Sequence, residues 1–291
     1  MQTRSQQVGI LVAVIIVLGI GWVMRGNIRE AVVVARRPEL PLAQPFIAQP
    51  SSTVAVAATA SSSTAQPSTQ PLSQTGVTVV TPSKPSSTSA PAPVIEVPSK
   101  DSLPATVNLA VPFLSQAPKQ NWSMPYQEAC EEASMIMVDA YLSGRTRAFL
   151  ADEGDRAILN LVAYEEQIGK TPDLTAAEIK QVVDGYFKGR QVELLKSPTI
   201  QQIKEVLTAG FPVIVPASGK ALKNPNFRNG GPVYHMLVIK GYLKDGRWIT
   251  NDPGTRNGAD YLYDQKVLFN AIHDWNGGDV PAGNPVVIVI K

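Results

Sequence analysis

The chain has 291 residues, with 26 Lys and Arg, 24 Asp and Glu, a formal charge of +2, two His and one Cys. That length exceeds one ordinary domain. A charge this close to balance, with no basic stripe among its aromatics, lacks the electrostatic footprint of a nucleic-acid binder. A single cysteine excludes an intrachain disulfide framework, and one Cys with two His approaches no standard zinc spacing, so no metal site is expected.

Residues 1–7 form a short tail. Val8 to Met24 read VGILVAVIIVLGIGWVM, 17 uncharged and mostly apolar residues, the lower limit for a membrane-spanning helix. Trp22 and Arg25 stand where interface anchors belong. A cleaved signal peptide with Arg4 as its charged start is the alternative, but no small-x-small site directly follows the run. The expectation is an uncleaved single-pass anchor over 8–24. Arg25, Arg29, Arg36 and Arg37 would draw the C-terminal side toward the cytoplasm by the positive-inside rule.

The next segment argues the other way. Residues 25–104 are rich in Ser, Thr, Pro and Ala, and no aromatic occurs between Phe46 and Phe113. So little of this stretch can be buried that it reads as a disordered tether. Fully extended, at roughly 3.1 Å per residue, its reach is on the order of 200 Å. A stalk of this kind suits a domain held off a membrane, often across a cell wall, so the C-terminal part is expected to be extracytoplasmic.

Residues 105–291 read as one folded domain. Apolar Ala133, Ile136, Met137, Ala140 and Tyr141 share one face of a helix over Cys130–Leu142, stopped by Ser143-Gly144. Thr175 with Glu178, and Thr199 with Gln202, have the form of capping boxes ahead of two further helices, and Gly210 suits the C-cap of the second. Residues 212–216, 235–243 and 247–252 read as strands, the last two joined by a Lys244-Asp245-Gly246 hairpin turn. Residues 267–275 read as a helix and 286–291 as a closing strand. Helices first and an antiparallel sheet second make the fold class α+β. The loop 220–235, rich in Asn, Gly and Pro, runs directly into His235, and long loops in compact domains are often functional.

Cys130 at a helix start is placed where free N–H groups and the dipole favour a thiolate. Glu131 and Glu132 oppose that charge unless they point away as ordinary first-turn acids. His235 could take the thiol proton and later protonate a leaving group. Asp252, at the end of the paired strand, could orient the imidazole. Gln116, 14 residues before the cysteine, could donate its amide N–H to an oxyanion. Each residue also has a plain structural role open to it. A lone cysteine can be a small buried hydrophobe, a histidine can pack in a strand, and Asn251-Asp252-Pro253-Gly254 can be only a turn. His273 reads as structural. Spacing and chemistry alone leave catalytic and structural arrangements both open.

The blocks VPFLSQAP, NW, CEEASMIMVDAYL, HMLVIKGY and ITNDPGTRNGADYLY…LFNAIHDW, taken in order, resemble the bacterial cysteine peptidase family thirty-nine. These papain-like proteins are related to double-glycine leader peptidases. The resemblance runs from Val111 to the C-terminus. It implies a papain-like fold, with N-terminal helices packed on an antiparallel sheet. It implies Cys130 as nucleophile, His235 as general base and acid, Asp252 as orienting residue and Gln116 in the oxyanion hole, with no cofactor. Asn251 is the alternative third member, since papain-like sites can use Asn. Trp122, Gly231 and Tyr234 are candidates for substrate binding. Many members follow the cysteine with Gly-Pro; here Glu131-Glu132 follows. Gly169-Lys170-Thr171 is no P-loop, because Tyr164 stands where the first glycine is required, so an ATP-driven exporter is not expected. The expected partner is a peptide or a cell-wall peptide. The rival readings are an inactive peptidase-like module that binds peptides at the surface, and a stalk protein whose head only mediates contacts.

Overall fold

The computed structural model describes residues 38–47, 103–170 and 172–291. The apolar run 8–24 and most of the expected tether lie outside these residues. Among the described residues, no helix is long and apolar enough to cross a membrane.

Among the described residues, five α-helices pack around one sheet. The helices are α1 (Cys130–Leu142), α2 (Ala151–Gln167), α3 (Ala176–Tyr186), α4 (Ile200–Thr208) and α5 (Gln265–Ala271). The strands are β1 (Val107–Asn108), β2 (Val192–Lys196), β3 (Val213–Ser218), β4 (Tyr234–Tyr242), β5 (Trp248–Asn251), β6 (Tyr261–Tyr263) and β7 (Val286–Ile290). Their order is β2-β7-β3-β4-β5-β6, with β1 also on β4, and every pairing is antiparallel. The α+β class is therefore observed. The segregation of helices from strands is looser than expected. Among the described residues β1 precedes every helix, and β2 falls between α3 and α4. β2 lies at the edge of the sheet, where its sequence VELLK is only partly buried and carries no strong strand pattern.

The helix starts follow the sequence closely. Thr175 Oγ1 accepts the Glu178 N–H at 3.2 Å, and the Glu178 carboxylate accepts the Thr175 N–H at 3.0 Å. Thr199 and Gln202 repeat this at 3.1 and 2.8 Å, satisfying donors that a helix start otherwise leaves orphaned. Gly210, just past α4, has φ +90°, the left-handed conformation glycine adopts without steric cost. α2 was not legible beforehand. It is held at its start by Glu153, which accepts the Leu150 N–H and pairs with both Arg145 and Arg147.

α1 has the expected bounds but not the expected one-sided face. All of it except Asp139 and Ala140 is buried, because it lies between β4 and α2. The helix expected over 267–275 ends at Ala271. Ile272 leaves it to bridge Ala217, and His273 donates its N–H to the Pro216 carbonyl, extending the edge of β3. The His273 ring bonds the Gly283 carbonyl through Nδ1 at 2.9 Å, a structural role.

Residues 38–47, read from composition as part of the tether, pack on the domain. The Gln44 N–H donates to the Asn108 carbonyl at 2.8 Å, and the Ala110 N–H donates to the Gln44 carbonyl at 2.7 Å. The Phe46 ring lies edge-on to Tyr141, 5.6 Å between centroids, and 6.2 Å from Phe211. One aromatic, one backbone pairing and the Asn108 Nδ2 bond to the Pro41 carbonyl attach this segment, too small a signal to stand out in a Pro- and Ala-rich sequence.

Candidate active site

Four segments distant in sequence meet at one end of the sheet. A single 3-10 turn, Tyr126–Glu128, leads into α1, and Cys130 is the first residue of that helix. Gln116 fixes this turn. Its Nε2 donates to the Tyr126 and Gln127 carbonyls, each at 2.9 Å. Both amide hydrogens are thereby spent on backbone, so neither is aimed at the cavity as an oxyanion donor must be. Gln116 must release one carbonyl before it can serve that role. What it does in this arrangement is buttress the entry to α1.

His235 is the second residue of β4, opposite Ala217 of β3. Its Nε2 lies 2.8 Å from Asp252 Oδ1. A β-bulge makes this contact possible. Tyr242 pairs with Trp248 and Gly241 with Ile249, but beyond Lys240 the register slips by one, so that Ile239 faces Thr250 and Val238 faces Asn251. Residues directly opposite share a face, and neighbours alternate. Continuing one position past Asn251 puts Asp252 on the face of Leu237 and His235. Without the bulge it would emerge on the other face.

Asp252 is wholly buried, and its oxygens are fully used. Oδ1 takes His235 Nε2 and the Gly254 N–H at 3.0 Å; Oδ2 takes Asn224 Nδ2 at 3.0 Å and the Tyr263 hydroxyl at 2.5 Å. Burial pushes its carboxyl upward, but the His235 charge and these donors prevail and hold it below the ordinary value. An ionised Asp252 fixes the proton of neutral His235 on Nε2 and leaves Nδ1 as the basic nitrogen. Asn251 does not take this part. Its side chain donates to the Val111 carbonyl at 3.0 Å and accepts the Asp260 N–H at 3.3 Å. Asn224, Tyr263, Gly254 and Phe227, whose ring lies edge-on to His235, were not singled out from sequence. All four fell within segments already quoted, Asn224 and Phe227 in the loop 220–235, and Gly254 and Tyr263 in the block ITNDPGTRNGADYLY, but none was given a role there.

Gln116, Trp122, Cys130, Gly231, Tyr234 and His235 all line one cavity of about 810 Å³. The Met236 backbone, from the residue after His235, lies near enough to the Cys130 sulfur to favour its thiolate slightly, against the larger effect of burial. The candidate nucleophile and base thus share a cavity wall where α1 meets β4. Tyr234 contributes its ring, since its hydroxyl donates to the Leu174 carbonyl at 2.9 Å.

Glu131 and Glu132 do not point to solvent as first-turn acids. Both enter the core. Cys130 Sγ donates to Glu131 Oε2 at 2.8 Å, and Glu131 Oε1 accepts the Leu174 N–H at 3.3 Å. Burial raises the Cys130 thiol well above its ordinary value, and the Glu131 and Glu132 charges push the same way. Burial also raises Glu131 to about 8. Glu132 is raised well above a normal carboxyl by burial and by Glu165, which faces it from α2 and is itself raised by burial to about 7. The resting sulfur is a neutral thiol, so the helix start does not by itself generate a thiolate here. Among the described residues, no cluster of His, Cys, Asp and Glu is arranged to hold a metal ion.

Residues 108–277 match the Peptidase_C39 like family. The chain belongs to that family. The matched span takes in Cys130, His235 and Asp252, and the departure at Glu131-Glu132 lies inside this C39-like region. A solved structure described as a C39-like peptidase from Bacillus anthracis is similar at 16% identity, with 64% of this chain and 98% of that one covered and a TM-score of 0.42. No curated protein matches the chain.

Proposed function

We propose that this C39-like chain is a cysteine peptidase that cleaves peptide bonds through Cys130, His235 and Asp252. The observation that carries this reading is the buried Asp252–His235 contact, which leaves the imidazole Nδ1 free beside the cavity that Cys130 also lines. His235 takes the thiol proton, the sulfur attacks the amide carbonyl, and the imidazolium protonates the departing amine. Water then attacks the acyl-enzyme with His235 again as base. The backbone N–H of Cys130, at the start of α1 and in a residue that lines the cavity, is the proposed oxyanion donor. Gln116 joins them on giving up one carbonyl. Trp122, Gly231 and the Tyr234 ring are the proposed peptide contacts. The chain is further proposed to be a single-pass membrane protein, anchored by residues 8–24, with this domain outside the cytoplasm and a peptide or cell-wall peptide as substrate. Those points rest on the apolar run and the composition of the tether.

A second reading, a peptidase-like module that binds peptides without cleaving them, is favoured by one observation: the thiol hydrogen is directed at Glu131. Incubating the full chain with a peptide library, with Cys130→Ala as control, separates the two. Cleavage that depends on Cys130 supports the peptidase. Peptide retention without cleavage supports the binding module.

A further inference from the structure

Two groups compete for the Cys130 proton. His235 offers Nδ1 across the cavity. Glu131 already accepts the thiol hydrogen at 2.8 Å. Adjacent residues on a helix do not ordinarily face one another, so this contact needs the Glu131 side chain folded back along its own helix. The Leu174 N–H pins it there from the loop before α3, and Glu131 is 1% exposed. A carboxylate fixed beside a thiol in a buried site opposes the thiolate. The surrounding ionisable groups are Glu132 on α1, Glu165 on α2, Asp173 beside Leu174, and Tyr234 and His235 on β4, with Asp274 near Tyr234. None of them reaches the sulfur as Glu131 does.

We infer that Glu131 is the resting partner of the Cys130 thiol, holding the S–H turned from His235 and so setting the pH at which the nucleophile forms. This rests on the reading of Cys130 as nucleophile. Activation is a rotation of the S–H from Glu131 Oε2 toward His235. The proton then leaves sulfur for Nδ1, and the sulfur electron pair freed by breaking the S–H bond forms the bond to the substrate carbonyl carbon.

The test is the rate of Cys130 alkylation by iodoacetamide against pH, on the full chain and on Glu131→Gln. The glutamine amide keeps the shape, can still accept from Leu174, and removes the opposing charge. The expected result is a profile displaced downward by about one pH unit or more, a rise of about tenfold in rate on the alkaline side of about pH 8, where Glu131 is ionised. An unchanged profile, or one displaced upward, overturns the inference. If Glu131→Gln does not fold, infrared titration of the buried carboxyl in the wild-type chain and in Cys130→Ala decides the matter. Loss of the thiol donor should raise the pH at which that carboxyl ionises, and an identical titration overturns the inference. Neither readout requires peptide cleavage. A chain that cleaves nothing yet shows the displaced profile loses the peptidase reading and keeps the role of Glu131. A chain that cleaves through Cys130 with an undisplaced profile loses only the role of Glu131.

Discussion

His235 Nε2 stands 2.8 Å from Asp252 Oδ1, with the two side chains 2% and 0% exposed. In so dry a setting the carboxylate is the strongest available influence on the ring's tautomer and orientation. Asp252→Asn keeps the shape and loses the charge. We expect kcat/KM for peptide hydrolysis to fall by about 10²–10⁴-fold with the circular dichroism spectrum retained. Activity near wild type in this variant removes Asp252 from the catalytic set.

Gly254 passes so close to the imidazole that a Cβ there would lie 2.6 Å from His235 Cε1 and 3.1 Å from Nε2. Gly254→Ala must therefore displace the ring or the loop. A small misplacement of a catalytic group is costly, and we expect a loss of about 10²-fold in kcat with a cooperative unfolding transition preserved. Unimpaired turnover would mean that the ring position is not critical.

Asn251 and Asp252 are neighbours with separate duties. Asn251→Ala leaves the buried Val111 carbonyl and the Asp260 N–H without their partner. The expected cost is about 1–3 kcal/mol of unfolding free energy in a denaturant titration. The pH dependence of hydrolysis should not move. A shifted pH profile would assign Asn251 to the imidazole after all.

Glu131, Glu132 and Glu165 all bind their protons more tightly in the folded chain than at the ordinary value of 4.5. Between that value and the raised ones, the folded state holds more protons than the unfolded state, so stability must fall as pH rises. Their contribution is full below about pH 4.5, declines above it, and is lost once pH has risen through about 7 for Glu165 and about 8 for Glu131. Asp252 has the opposite sign, but its lowered value confines its effect to the acid side of 3.8. We expect Tm to decrease from about pH 5 to pH 8, and Glu132→Gln to flatten that decrease. A Tm that climbs over this range contradicts the buried acidic pair.

Much of the site could be read from local patterns. Thr175 and Thr199 announced their helices because a capping box is satisfied within four residues. The Lys244–Gly246 turn announced the β4–β5 hairpin for a similar reason. Cys130 and His235 could be named because the chain has one Cys and two His, while Gln116 came from the family resemblance. α2 was missed because its start depends on Arg145 and Arg147 gripping Glu153, a cluster with no helix-start motif. The packing of residues 38–47 was missed because it rests on partners more than 60 positions away, as with Asn108 and Pro41.

The sequence by itself determined the α+β class, the position of Cys130 at a helix start and the Cys130–His235 candidates, since these follow from short-range periodicity and scarcity of residue type, while its resemblance to a family added Gln116 and Asp252. It left open which of Asn251 and Asp252 meets the imidazole, because one residue of register reverses the face of every side chain beyond it. The bulge at Lys240 settled that in favour of Asp252. It also left open where the two glutamates after the cysteine point. Only the burial of α1 between β4 and α2 turned them inward, setting Glu131 against the sulfur and Glu132 against Glu165.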